Sequence, residues 1–475
     1  MTAAERQALL ILASIYSLRM LGLFMILPVF AIYAHQLSGV TPLGIGIALG
    51  IYGLTQAIFQ IPFGYISDRL GRKPLIILGL VLLSLGSVVA AMSQSILGVI
   101  VGRGIQGMGA TGGVIMALLA DLTRQEIRLR AMAVIGISIG FSFALAFILG
   151  PLLNAWLGVQ GIFWITALFA LAAILVVIGL LPNPKAVLEL RQEASEVSEV
   201  SEVSEASEVS EASEVSSSEA CSKESKVSSR ELKVSLEVSE ASPLEVSTAS
   251  KAWEAPAPGK LSEEIFDHND NMRTRELDSL SLLPLYIGVL ILHASLTAIF
   301  LKIPQVVASL QLDHGLENRL DHGQAWQFYL PVLLASFILT IPIILRMEKS
   351  KKTTQWMSLV ILLLGFSELT ILLFYKSFLG LSVSMVLFFT AFNVLEASLP
   401  SFISKTVSTH RKGTALGIFS ALQFLGLFLG GVIGGLVDSW GGLVAVLLFC
   451  VILALVWFFL MFYRFYRFHT DYKEV

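Results

Sequence analysis

Of 475 residues, 55% are hydrophobic and only 14% charged, and the mean hydropathy is +0.78. A domain folded in water carries about a quarter charged residues, so water is excluded as the main solvent. The formal net charge of −3 hides a basic membrane body behind an acidic insert, and no nucleic-acid partner is expected. Cys221 lies in a polar stretch and Cys450 in an apolar run, which excludes a disulfide framework or thiolate metal cluster; no cofactor is expected.

In chain order, Met1 to Gln7 leads into an apolar segment too long for a signal-peptide core and without a small-residue cleavage pattern, so it is expected to be a retained first span. Crossing the hydrocarbon core takes about 20 apolar residues. Spans are predicted over Leu9–Ala34, Gly44–Ile66, Pro74–Met92, Ile96–Ala120, Ala131–Leu157 and Phe163–Leu181. Six more follow a polar insert: Leu283–Pro304, Phe328–Leu345, Met357–Phe374, Phe378–Ile403, Ala415–Val437 and Leu443–Phe465. None shows the alternation of a barrel strand, and helices satisfy their own backbone in lipid. The fold class is an all-α polytopic membrane protein of twelve transmembrane helices in two pseudo-symmetric six-helix bundles, residues 1–184 and 281–475, joined by a linker at 185–280.

Thirteen basic residues in short loops fall on one side: Arg69, Arg72, Lys73, Arg124, Arg128, Arg130, Arg346, Lys349, Lys351, Lys352, Lys405, Arg411 and Lys412. Lys302, Arg319 and Lys376 fall on the other, so both termini are expected in the cytoplasm of a cell inner membrane. The insert Lys185 to Asp278 holds 10 basic and 22 acidic residues and repeats Glu-Val-Ser or Glu-Ala-Ser from Glu193 to Ser216. So few bulky apolar groups do not repay ordering entropy, which predicts a disordered cytoplasmic tether with, at most, a short interfacial helix at Leu261 to Phe266. A half-chain repeat is visible: Arg130-Ala-Met-Ala133 opens the fifth span as Lys412-Gly-Thr-Ala415 opens the eleventh. Duplicated halves with a site near their interface are a recurrent plan for carriers.

Between the second and third spans stands Gly64-Tyr-Ile-Ser-Asp68-Arg69-Leu-Gly71-Arg72-Lys73. It resembles the loop signature of the major facilitator superfamily, G-x3-D-[RK]-x-G-R-[RK], at every fixed position. Physically, Gly64 permits close helix approach, Gly71 lets the chain turn, and Asp68 ends a helix where a carboxylate favours another helix's N-terminus. The resemblance implies a conformational gate in which Asp68 meets the start of the eleventh span at Gly413 to Ala415 and Arg72 pairs with Asp121. The bland alternative is an ordinary basic turn. The corresponding loop Arg346 to Lys352 lacks the acidic-glycine pattern, so the gate is expected to be one-sided.

Arg103-Gly-Ile-Gln106-Gly107 sets Arg103 and Gln106 on one face of the fourth span and resembles the superfamily's R-x-x-Q-G element. Substrate or proton coupling and a structural bond to carbonyls both remain open, because either relieves the cost of an intramembrane Arg. Gly150-Pro151 is similar to the end of the antiporter signature, but Ile137, Ala146 and Asn154-Ala155 depart from it; with Gly136 and Gly140 it predicts a bent, closely packed helix.

Arg19 lies about 15 Å into the first span and must have a partner. Glu396 has Asn393 one turn earlier and Pro400 after it, and an intramembrane carboxyl able to exchange a proton suits coupling; a fixed polar pairing is the alternative. Glu368 and His293 are further coupling candidates, each with a packing alternative. Gln56, Gln60 and Gln423 are expected to line a cavity.

Three stretches, Ser17 to Gly22, Gly50 to Gly64 and Ala391 to Pro400, resemble the YajR-type branch of drug:proton antiporter-like transporters, without that branch's soluble domain after the last span. The resemblance implies a monomeric, proton-coupled secondary transporter exporting a small amphipathic solute by alternating access. Rival readings are a proton-coupled importer, or a non-transporting sensor or scaffold using the acidic linker. No nucleophile-base pair or phosphate loop suggests an enzyme.

Overall fold

The structure is a computed structural model and describes residues 3–181, 282–313, 325–350, 352–408 and 411–471. The linker, its Glu-Val-Ser repeat and the helix expected at Leu261 to Phe266 lie outside the described residues. The described chain is helical, and ten stretches are long and apolar enough to cross a membrane.

The first half holds α1 (Ala3–Phe24), α2 (Leu27–Tyr33), α3 (Pro42–Leu70), α4 (Arg72–Met92), α5 (Ile96–Met108), α6 (Gly112–Leu122) and α7 (Gln125–Leu180). The second holds α8 (282–300), α9 (Ile303–Asp313), α10 (Ala325–Lys349), α11 (Thr353–Phe374), α12 (Phe378–Thr406) and α13 (Lys412–Asp471). At 1.5 Å per residue, the 47-residue, largely apolar stretch Val134–Leu180 of α7 would extend about 70 Å, more than twice the ~30 Å of a hydrocarbon core. The chain must therefore reverse within it. It does so at Gly158 (φ 67°), and α13 reverses at Gly442 (φ 60°). These positive φ values suit glycine, because a side chain would clash with the backbone. Ten helical stretches thus make twelve spans, and the predicted breaks between spans five and six and between eleven and twelve coincide with the two glycines.

Three spans are themselves broken. The first is interrupted between α1 and α2 before Pro28, the seventh between α8 and α9 before Pro304, and the fourth between α5 and α6 at Gly109 to Thr111. Proline lacks the amide that would continue the ladder, which accounts for the first two.

The halves meet along α3 and α13. A Cβ on Gly46 would strike the Gly431 carbonyl, one on Gly50 would lie 2.7 Å from Phe428 Cα, and one on Gly53 would strike the Phe424 carbonyl. On another face of α13, Gly426, Gly430 and Gly434 seat against Leu290, Ala294 and Ala298 of α8. In lipid, where apolar side chains gain little by leaving one solvent for its like, such backbone approach drives association. The contact fades toward the basic loops. Gly64 on α3 and Gly413 and Gly417 on α13 have nothing within 4 Å of a Cβ, and Ile61 and Tyr65 are exposed. A cleft therefore separates the halves toward the basic-loop face. Toward the opposite face it is closed by rings: Phe147 of α7 lies 5.0 Å from Phe300, 5.9 Å from Tyr329 and 5.5 Å from Phe389.

Gly431→Val drives a side chain into the Gly46 carbonyl and should cost about 1 to 3 kcal/mol, read as a lowered Tm of purified protein. Gly417→Val, placed in the open cleft, should leave Tm unchanged.

Candidate functional site

The signature loop folds around Gly71 (φ 93°), which joins α3 to α4 without a longer connection. Arg72 then turns back. Its Nε donates to Asp121 at the end of α6 at 2.6 Å, its Nη1 reaches Asp68 at 2.9 Å, and Nη1 also donates to Ser67 at 3.2 Å. Lys73 donates to the carbonyls of Leu181 at 3.0 Å and Ile178 at 3.2 Å, capping the last turn of α7, where a cation offsets the negative helix end. Arg69 lies over the Tyr65 ring at 4.5 Å and donates to its hydroxyl.

The expected pairing of Arg72 with Asp121 is present, but the expected meeting of Asp68 with Gly413 to Ala415 is not. The Asp68 side chain is 62% exposed, and nothing lies within 4 Å of a Cβ at Gly413. The cause is the cleft, which holds α3 and α13 apart at this end. For the same reason Gly64 makes no close helix contact here, and Gly136 and Gly140, expected to pack closely, also have nothing within 4 Å. Close packing on α7 belongs to Gly150, whose Cβ position is filled by the Met25 carbonyl and, at 3.2 Å, by Pro28; Pro151 follows it inside the helix.

The polar groups of the first half are turned inward. Arg103 donates from Nε to Ala48 O at 3.0 Å and from Nη2 to Leu49 O at 3.1 Å, with its guanidinium 5.5 Å from the Tyr52 ring centre. Gln106 donates to Ser87 at 2.7 Å. Both tie the fourth span to its neighbours through groups in the same half, which is the structural arrangement of the two left open. Gln56, expected in a cavity wall, is fully buried and accepts from Arg19 Nη2. Gln60 is half-buried, with its Oε1 enclosed and unpartnered.

In the second half, three candidates from three different spans converge. Gln423 of α13 donates from Nε2 to Glu396 Oε1 of α12 at 2.7 Å and lies 2.9 Å from Nε2 of His293 on α8. His293 Nδ1 stands 3.0 Å from the Val289 carbonyl. An imidazole with its proton on Nδ1 donates to that carbonyl and accepts from Gln423 through Nε2. Glu396 Oε2 lies 3.5 Å from the same Nε2 and has no hydrogen-bond partner. A proton placed on Nε2 would point a new donor at that free oxygen. His293 is buried, whereas the Glu396 side chain is 34% exposed, so the group joins an enclosed imidazole to an accessible carboxylate. Each member lies about 15 Å from the basic-loop end of its helix, near the middle of the bilayer.

The other two candidates stand apart from this group. Asn393 reaches Ser336 of α10 at 3.5 Å, and Glu368 is fully buried on α11 beside Ser295 and Cys450. Sequence reasoning passed over Phe392, whose ring lies 5.6 Å from His293 and 5.6 Å from Phe143 across the halves, linking the polar group to the aromatic seal. It also passed over Gln305 of α9, which donates to Ala31 O at 3.3 Å and contacts His35 at 2.9 Å, and the ion pair of Lys302 with Asp438 at 2.9 Å, both toward the opposite face. Polar side chains near span ends are too common in sequence to signal such contacts.

Comparison with known proteins agrees with this architecture. Residues 12–339 match the family model described as Major Facilitator Superfamily. The inner membrane transport protein YajR of Escherichia coli (strain K12) is 36% identical over 457 residues, covering 96% of this chain and 83% of that protein. Among solved structures, a D-xylose-proton symporter aligns at a TM-score of 0.64 with 14% identity over 96% of both chains. The human organic anion transporter MFSD10 (TETRAN) aligns at 0.56 with 17% identity, covering 97% of this chain and all of the other. Twelve spans in two six-helix bundles, the complete loop signature and a family match over most of its length lead to one conclusion: the chain is a multi-pass membrane protein belonging to the Major Facilitator Superfamily of transporters.

Proposed function

We propose that this protein is a proton-coupled, alternating-access transporter that exports a small amphipathic solute across the inner membrane, acting as a monomer with both termini in the cytoplasm. The reading is carried by the group of His293, Gln423 and Glu396 at mid-membrane depth beside the cleft. The pair has room for one more proton, on His293 Nε2 or on Glu396 Oε2, without breaking the bond from Gln423 to Glu396. Taking it up changes which groups His293 holds, and Phe392 carries that change to the seal. The cleft opens toward the face bearing thirteen loop cations, the side expected in the cytoplasm, which suits a carrier collecting solute there. The inner membrane location follows the name of the Escherichia coli relative, and coupling to protons is named for the symporter of like fold.

In the transport cycle, closing the cleft brings Asp68 toward the positive N-terminus of α13 while Arg72 stays anchored on Asp121, so the loop biases the equilibrium between states. The linker at 185–280 serves as a tether between the two bundles.

Purified protein in liposomes, loaded with a panel of amphipathic solutes and a pH-sensitive dye, should show solute-driven proton flux that falls to the level of empty liposomes in Glu396→Gln. Full flux in that variant would remove Glu396 as the carrier of the proton. Asp68→Asn should insert at normal levels yet transport more slowly in cells, and an unchanged rate would take the loop out of the gating account.

A further inference from the structure

Arg19 is 2% exposed at the middle of the first span, and its guanidinium is only partly satisfied. Nη2 donates to Gln56 Oε1, while Nε and Nη1 have no hydrogen-bond partner. Among the described residues no carboxylate is paired with it. Among the carboxylates of the first half whose side chains are described, Glu5 faces Arg124, and Asp68 and Asp121 face Arg72, all at the basic-loop end. A guanidinium held in a membrane interior without an opposing charge is costly, and such groups normally face a partner or a polar path.

Around Arg19 stand a helix start, a side-chain amide and hydroxyls that donate as well as accept. The break in the fourth span places the N-terminus of α6 here: a Cβ built on Gly112 would lie 3.3 Å from Arg19 Nη1 and 3.1 Å from the Tyr16 hydroxyl. The first amides of a helix have no partner within it and carry its positive end. Thr111, just before Gly112, is fully buried with its hydroxyl unpartnered, and the Gln56 amide nitrogen is likewise buried and unpartnered. A small cavity lined by Leu18, Leu80, Leu83 and Thr166 also touches Arg19, apart from Gln56, Thr111 and Gly112.

We infer that this cluster is an anion-binding site: Arg19, Thr111, the Gln56 amide and the N-terminus of α6 together hold one small anionic group, either an inorganic ion such as chloride or the carboxylate of an organic acid. Arg19 Nη1, the free amide of Gln56 beside it and the start of α6 at Gly112 offer donors around one positive charge, which is the complement of an anion. The break between α5 and α6 acquires a purpose, because a continuous helix would have spent those amides on its own carbonyls. The site lies wholly in the first half, at the depth of the Glu396 group in the second, and stands whether or not that group carries protons.

The test is the Tm of the purified full-length protein in detergent, at constant ionic strength, with sodium chloride, bromide or acetate titrated against sodium lactobionate, a sugar acid too large to enter. Wild type should gain stability saturably with at least one small anion. The gain should vanish in Arg19→Gln, and in Thr111→Val, which removes one donor and keeps the charge, the midpoint should weaken about tenfold. A response to halides assigns the site to an inorganic ion, and a response to acetate alone assigns it to an acid head group. An equal Tm in every anion for wild type, or a response undiminished in Thr111→Val, overturns the inference. Because no transport is measured, that failure would leave the proton-flux reading of Glu396 untouched.

Discussion

The architecture depends on backbone meeting backbone where α3 crosses α13. Gly46 and Gly431 each occupy the place where the other's side chain would be; Gly435 extends the contact toward the opposite face, and Gly50 and Gly53 carry it part of the way toward the basic loops. There main-chain atoms of the two halves touch, so this crossing sets the angle at which they separate toward the basic loops. α13 has a second glycine face against α8. One helix thus belongs by dense packing to its own half and by an equally dense strip to the other, and any change of angle between the bundles has to pass through it.

Polar chemistry is divided unevenly over this frame. In the first half, Arg103 and Gln106 are spent on carbonyls and a serine, and their effect is to hold spans together. In the second, Glu396 keeps one buried oxygen without a bond on a partly exposed side chain, beside an imidazole whose Nε2 accepts from Gln423. The difference is one of satisfaction: a group with all its bonds made has no reason to respond to a proton or ligand, whereas one with a bond in reserve does.

Much of this was legible in sequence because lipid enforces length. Spans had to be about 20 apolar residues, and the predicted Ala131–Leu157 and Phe163–Leu181 meet at Gly158 as the structure has it. The pairing of Arg72 with Asp121 followed from a signature with fixed spacing. Helical period shows which residues share a face but not which helix that face meets. His293, Glu396 and Gln423 were therefore separate candidates until packing joined them, and Gln56 was assigned to a cavity although it turns toward Arg19. The contact expected between Asp68 and Gly413 is absent from the arrangement the structure holds, and spacing carries no information about how far apart two helix ends stand.

The reversals at Gly158 and Gly442 occupy almost no chain. Spans five and six, and likewise eleven and twelve, are stiff hairpins rather than helices on slack. Trp457 of the twelfth span is wedged against Gly288 of the seventh, so a twist applied to the eleventh is handed at once to the far side of its bundle. Such a bundle is built to tilt, if it tilts, as a block. Leverage gained at the central crossing is delivered undiminished to the loops at the rim, with little lost to bending on the way.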